Sequence, residues 1–305
     1  IDTETTSLDA MQADLVGMSL CVDIGEACYI PLGHRQGDGL DFTGDTIDQL
    51  NLSDALELLR PMLKEKSVLK VGQNLKYDAL ILSRYDVELS PLDDTMLMSY
   101  ALDAGRGGHG MDELSQTHLG HTPIPFKQVA GTGKSKITFD LVPIDKATDY
   151  AAEDADITLR LYEVLRPRLI SEQKKTLYET LERPLVPVLM AMEREGIKVD
   201  RAVLARLSGD FAQAMAALEA EIHQLAGENF NIASPKQLGE VLFDKMGLEG
   251  GKKTKTGAWA TGADVLEGLA AQGHDLPIRV LGWRQLAKLK NTYTDALPKF
   301  INPET

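Results

Sequence analysis

The chain has 305 residues, 43% of them hydrophobic and 26% charged, with 46 acids against 32 Lys and Arg for a formal net charge of −14. That length is comfortable for two domains and the apolar content is enough for real cores. No run of about 20 apolar residues occurs, which excludes a membrane-spanning helix, and no signal-peptide pattern stands at the start.

Residues 1–4 read as extended chain. Alternating runs at 15–24 and 27–33 read as strands joined by a Gly25-Glu26 turn. Cys21 and Cys28 fall in these runs and are expected to be buried thiols, with no disulfide between them. A helix follows near 53–65, then a strand over 67–72 that runs through Asn74 into a helix at 76–85. Residues 104–142 are Gly- and His-rich and irregular, with a short helix at 111–118. From 143 the pattern is helical almost throughout: 147–166, a linking helix at 171–196, then 201–226, 235–246, 262–271 and 277–296, with a flexible loop over 251–260. Ser234 caps one of these helices, with Pro235 at its first position. The first half is therefore α/β and the second all α.

Four acids in three short motifs can converge on one point. Asp2 and Glu4, in Ile1-Asp2-Thr3-Glu4-Thr5, are two apart and share a strand face. Asp78, in Gly72-Gln73-Asn74-Leu75-Lys76-Tyr77-Asp78, falls in a first helical turn, where an acid favours the macrodipole. Tyr150 and Asp154 are four apart on one helix face. Clustered carboxylates repel one another unless cations lie between them, and an oxygen-rich site suits Mg²⁺ or Mn²⁺. Each piece alone reads more simply as a solvated strand end, a cap or a surface pair; the joint order and spacing carry the weight.

That joint pattern resembles the DEDDy class of 3′–5′ exonucleases, as found in the proofreading domain of bacterial family A DNA polymerases. The phrases that carry it are IDTETTSLD at 1–9, VGQNLKYD at 71–78, TGKSKITF at 132–139 and YAAEDADITLRLYEVLRP at 150–167. The likeness continues through REGIKVD at 194–200, SPKQLGEVLFDKMGL at 234–248, KKTKTGAWAT at 252–261 and LAKLKNTYTDALPKFINPET at 286–305, which are similar to the polymerase thumb. It implies an RNase H-like exonuclease domain over 1–170, a mixed central sheet flanked by helices with its N-terminal strand truncated. A linker helix and an all-α partial thumb would follow over 171–305. The palm and finger motifs are missing, so the expectation is a fragment of a longer polymerase that does not itself synthesise DNA.

The resemblance also implies a mechanism. Two divalent ions, Mg²⁺ or Mn²⁺ with Zn²⁺ an alternative at one site, would be held by Asp2, Glu4, Asp78 and Asp154. Asp2 would bridge them, Glu4 and Asp154 would complete the water-activating site, and Asp78 would hold the second ion through water. Tyr150 would orient the attacking water, since a phenol with pKa near 10 is a poor base. Leu8 would wedge against the terminal base, Phe126 would stack on the next, and Gln73, Asn74 and Tyr77 would contact the terminal nucleotides. The family often has an Arg before the Met-Asp-x-Leu helix; here Arg106 or His109 would take its phosphate-gripping role.

All of the formal charge sits in the first half: residues 1–154 hold 26 acids and 12 Lys or Arg, and residues 155–305 hold 20 of each. Residues 252–290 contain Lys252, Lys253, Lys255, Arg279, Arg284, Lys288 and Lys290 against three acids, which fits a phosphate-contacting surface for duplex DNA as well as a solvated face. The partners implied are thus a single-stranded 3′ end at the nuclease site and a duplex at the thumb, with no membrane, for a monomer in the bacterial cytoplasm near the nucleoid. Two other readings are a stand-alone ribonuclease of the RNase D type and a nuclease-like module that binds DNA without cutting it.

Overall fold

A computed structural model describes residues 1–36 and 47–305, which form two units, Ile1–Gly196 and Ile197–Thr305. In the first, three strands make an antiparallel sheet in chain order: β1 (Asp2–Thr5), β2 (Leu15–Asp23) and β3 (Glu26–Pro31). Asp2 lies opposite Ser19 and Glu4 opposite Gly17. The hairpin turn is Ile24-Gly25 rather than Gly25-Glu26. Gly25 supplies the positive φ of +86° that so tight a turn needs, and Glu26 opens β3. A Cβ on Gly17 would fall 2.1 Å from the Tyr29 hydroxyl, so the bare backbone there is what admits the Tyr29 ring.

Helix α1 (Leu52–Lys64) begins at Asn51, whose side chain accepts from Ser53 N and Asp54 N. β4 (Lys70–Gly72) then turns into α2 (Lys76–Ser83), and β5 (Leu92–Asp94) returns parallel to β4. Instead of one mixed central sheet, the described strands form an antiparallel sheet of three and a parallel pair, and the Ile1 nitrogen, donating to Val71 O at 2.8 Å, sets β1 beside β4. The chain continues through α3 (Thr95–Asp103), α4 (Met111–Leu119), α5 (Phe126–Ala130) and the 28-residue α6 (Ile144–Ser171). α6 runs past Pro167, where the sequence pattern suggested an end. Leu161, Leu165 and Leu169 stay fully buried on one face, and that packing outweighs the single lost backbone bond. α7 (Lys175–Leu177), a wide π turn (Tyr178–Glu182) and α8 (Arg183–Glu195) pack back on α2 and α3.

The cysteines depart from expectation. Both are free thiols, but Cys28 is exposed and Cys21 half-buried, because β3 and the far end of β2 show their outer face to solvent.

The second unit is all helical apart from one small hairpin: α9 (Arg201–Ala226), α10 (Pro235–Gly239) running into a π turn, α11 (Ala263–Ala271) and α12 (Asp275–Leu289). Asp200 caps α9 and Ser234 caps α10. The segment expected as a flexible loop is folded. Lys253 pairs with Trp259 across a short hairpin, and the Trp259 ring sits 4.8 Å from Phe243. A Cβ on Gly239 would lie 2.6 Å from Trp259 Cβ. Gly239→Ala is therefore expected to lower the stability of this unit by about 1–3 kcal/mol, the usual cost of overpacking, measurable as an earlier calorimetric transition.

Candidate functional site

The strand, the turn and the long helix bring the acids together. Asp2 and Glu4 leave one face of β1, and Asp154 leaves the buried face of α6, so that one carboxylate oxygen from each lies within 4.8 Å of the others. Asp78, buried in the first turn of α2, stands beside them but is not a fourth corner of that cluster. Its Oδ1 accepts from Thr3 N at 2.9 Å and from Thr3 Oγ1 at 2.5 Å. Thr3 was not singled out in the sequence, although its place between the two acids of the first motif is a usable signal.

The electrostatics are those of a site whose acids outweigh the positive charge beside them, the Ile1 ammonium. Burial pushes Asp2 up to about 6. Burial and then the charge of Asp2 push Asp154 up to about 8. Burial, with repulsion from neighbouring acids, raises Glu4 and Asp78 well above the usual carboxylate range. Glu4 Oε1 is buried with no hydrogen-bond partner, an uncommon state for such an atom. An all-oxygen donor set, mutual repulsion and an orphaned buried carboxylate oxygen together fit a hard divalent cation.

Tyr150 lies one turn before Asp154 on the same helix face, close enough for each to shift the other's ionisation. Burial, then the charges of Asp154 and Glu4, raise the phenol far above its ordinary value, so it stays protonated. The ring is held by two aromatics: Phe126 at 6.0 Å edge-on and Phe139 at 5.9 Å, which themselves stack at 6.3 Å. Phe139 ends the TGKSKITF phrase and was not picked out individually. Glu153, next to Asp154, accepts from His121 Nε2 at 2.8 Å and from Ile124 N at 2.6 Å, and so fixes the strand of chain that leads into Phe126.

A cleft of about 390 Å³, lined by Leu8, Met11, Asn74, Lys76, Tyr77 and Glu193 among others, takes in residues that flank the first and second motifs but none of the four acids themselves. Leu8 is 96% exposed at the rim of this cleft. The Tyr77 hydroxyl joins Thr5 Oγ1 and Ser7 O, tying the second motif to the first. Gln73 is placed differently. It is buried and its amide is taken up by His109 O and by Thr95 Oγ1, so it fastens the Gly-rich loop to β4. His109 is likewise engaged, through Ser99 Oγ at 2.8 Å, whereas the Arg106 side chain is 81% exposed with only a 3.8 Å approach to Asp103. A larger cleft of about 720 Å³, lined by Lys64, Arg183, Arg194 and others, contains none of the four acids.

In the second unit Lys252, Lys253 and Lys255 are exposed on the hairpin, with the Lys253 ammonium 4.7 Å from the Trp259 ring centre. Lys288 is exposed on α12, while Lys290 bonds Asp295 at 2.6 Å and Ser208 at 3.0 Å. Arg279 pairs with Glu221, and Arg284 donates to Thr261 O.

Comparison with known proteins agrees with this geometry. The family described as 3′-5′ exonuclease matches residues 1–170, and DNA polymerase family A matches 201–305. DNA polymerase I of Rhizobium leguminosarum is 60% identical over the whole of this chain, which covers 31% of that relative. DNA polymerase I of Pseudomonas aeruginosa is 44% identical, again over the whole chain and 33% of the relative. The chain thus spans about a third of the length of these relatives. A solved structure, the POL domain of Pol1 from M. smegmatis in complex with DNA primer-template and dNTP, shares the fold with a TM-score of 0.74 at 24% identity, over 96% of this chain and 45% of that one. This chain belongs to the 3′-5′ exonuclease family as it occurs in bacterial DNA polymerase I, and carries after it a segment of DNA polymerase family A.

Proposed function

We propose that the chain removes nucleotides one at a time from the 3′ end of single-stranded or frayed DNA, the proofreading step of a DNA polymerase I acting in replication and repair. The observation that carries this reading is the convergence of Asp2, Glu4 and Asp154, with Asp78 and Tyr150 beside them. Asp2, Glu4, Asp154 and Asp78 would hold two divalent ions, Mg²⁺ or Mn²⁺. Such ions lower the pKa of water and neutralise charge on the attacking and leaving oxygens. Tyr150, kept protonated, orients the attacking water by its hydroxyl. Leu8, Asn74 and Tyr77 receive the terminal nucleotide, Phe126 stacks on the next base, and Arg106 takes a backbone phosphate. Gln73 acts indirectly, by holding the loop that carries His109. Water attacks phosphorus, the preceding 3′ oxygen leaves, and the product is a deoxynucleoside 5′-monophosphate. Lys252, Lys253, Lys255, Lys288 and Lys290 supply a surface for duplex phosphates. A monomer in the bacterial cytoplasm, close to the nucleoid, suits these roles; no helix of the described residues is long and apolar enough to cross a membrane.

Tyr150→Phe keeps the ring packing and removes the hydroxyl. It is expected to lower kcat about 10–100-fold, the range for one positioning hydrogen bond, while Mn²⁺ binding measured by electron paramagnetic resonance stays intact. Substrate class is tested by competing single-stranded DNA against RNA of the same sequence. Preferential DNA digestion is expected, and equal or faster RNA digestion would favour a ribonuclease instead.

A further inference from the structure

The second motif makes a left-handed turn. Asn74 stands at φ +59°, a left-handed conformation uncommon for a residue with a side chain, directly between β4 and α2. The turn is held from outside by one carboxylate. Asp94, 2% exposed at the end of β5, accepts from Asn74 N at 3.2 Å and from Leu75 N at 2.8 Å. The same side chain also caps α3 through Met96 N at 2.8 Å and Leu97 N at 3.2 Å. Four backbone donors thus meet on one buried side chain. Asp94 is in turn fixed from beyond the 170-residue exonuclease match: Tyr178 OH accepts from Asp94 N at 2.9 Å and donates to Asp93 Oδ1 at 3.0 Å, and Arg183 Nη1 binds Asp93 at 2.9 Å.

We propose that Asp94 is a positioning residue for the nuclease. It locks the left-handed turn that sets Asn74, Tyr77 and Asp78 against the first motif, and Tyr178 and Arg183 of the following helical segment hold Asp94 in place. The unit that works as a nuclease therefore includes the helix after residue 170. This rests on the proposed site. An ångström of misplacement at Asp78 is enough to cost tens-fold in rate. A caps-only role is separable by chemistry. Asparagine at 94 keeps one oxygen to cap α3 but replaces the other with an NH₂ group, which cannot accept from Leu75 N.

In the intact chain, Asp94→Asn is expected to lower kcat for Mg²⁺-dependent shortening of single-stranded DNA at least tenfold with little change in KM, and to speed amide hydrogen exchange at residues 74–78 at least tenfold. Tyr178→Phe, which keeps the ring and removes the hydroxyl, is expected to speed exchange at the same amides. Leu165→Ala, a core truncation behind α3 that lowers Tm but removes no hydrogen bond of Asp94 or Tyr178, is expected to leave kcat of the folded protein within twofold and those amides protected. The proposal is overturned if Asp94→Asn leaves exchange at 74–78 within twofold of the unsubstituted chain, or if Leu165→Ala accelerates it and slows kcat as much. An inactive unsubstituted chain would refute the proposed activity instead, and the exchange measurement would still decide the role of Asp94.

Discussion

Asp154→Ala is expected to reduce release of nucleotides from a 3′ end by about 10³-fold, the rate equivalent of roughly 4 kcal/mol of lost transition-state charge stabilisation. The reason lies in how little else can replace it. Asp154 meets Asp2 and Glu4 within 4.8 Å and neighbours Tyr150, so in the proposed site one substitution would remove an ion ligand and the group beside the water-positioning phenol. The same change is expected to act on stability in the opposite direction. Asp154 is pushed up to about 8 by burial and by Asp2, so at neutral pH the metal-free fold must take up a proton that the unfolded chain does not hold, which weakens the fold. The metal-free variant is expected to melt a few degrees higher, the shift for about 1 kcal/mol in a domain of this size. Activity assays and melting curves in EDTA on one preparation check both signs. A variant that lost activity and also melted lower in EDTA would point to a structural role for Asp154.

The second large effect is on pH. A carboxyl whose pKa is raised by folding binds its proton more tightly in the folded chain, so its stabilising contribution is complete at low pH and is lost as pH rises through the folded value. Asp2 at about 6 and Asp154 at about 8 set the window, with Glu4 and Asp78 displaced in the same direction. His34 and His118 oppose this at lower pH, because burial lowers both and their protonation destabilises the fold. The informative range is therefore pH 6.5–8.5, and the informative quantity is the difference between Asp154→Asn and the unsubstituted chain. In EDTA the advantage of the Asn variant is expected to grow with pH. Saturating Mg²⁺, binding only the folded form of the unsubstituted chain, is expected to reverse it; at 100 times its Kd an ion contributes about 2.7 kcal/mol. An advantage that shrank with rising pH in EDTA would mean that the acids are not a mutually repelling cluster.

Much of this site is legible in the sequence because its spacing rules are local. Asp2 and Glu4 share a face by strand alternation, and Tyr150 and Asp154 by helical periodicity; both hold in the structure. What sequence could not give is long-range. Thr3 meets Asp78 across 75 residues, and Asp94 reaches Leu75 across 19. Neither pairing leaves a periodic trace. The apolar run that forms α3 is too short to tell helix from strand by pattern, so α3 and β5 went unread, and with them the buried Asp94. Gln73 shows the same limit from the other side. Its place in the second motif suggested contact with a nucleotide, but tertiary packing turned its amide inward onto Thr95 and His109.

The Asp2, Glu4, Asp78 and Asp154 cluster is proposed to cut DNA from the 3′ end. Its most direct test is a time course on 5′-labelled single-stranded DNA with Mg²⁺, run beside Asp2→Ala. A ladder shortening one nucleotide at a time from the 3′ end is expected, with 5′-monophosphates as the released product, and no ladder with Asp2→Ala. Label lost from the 5′ end, or equal shortening by the Asp2→Ala chain, would contradict it.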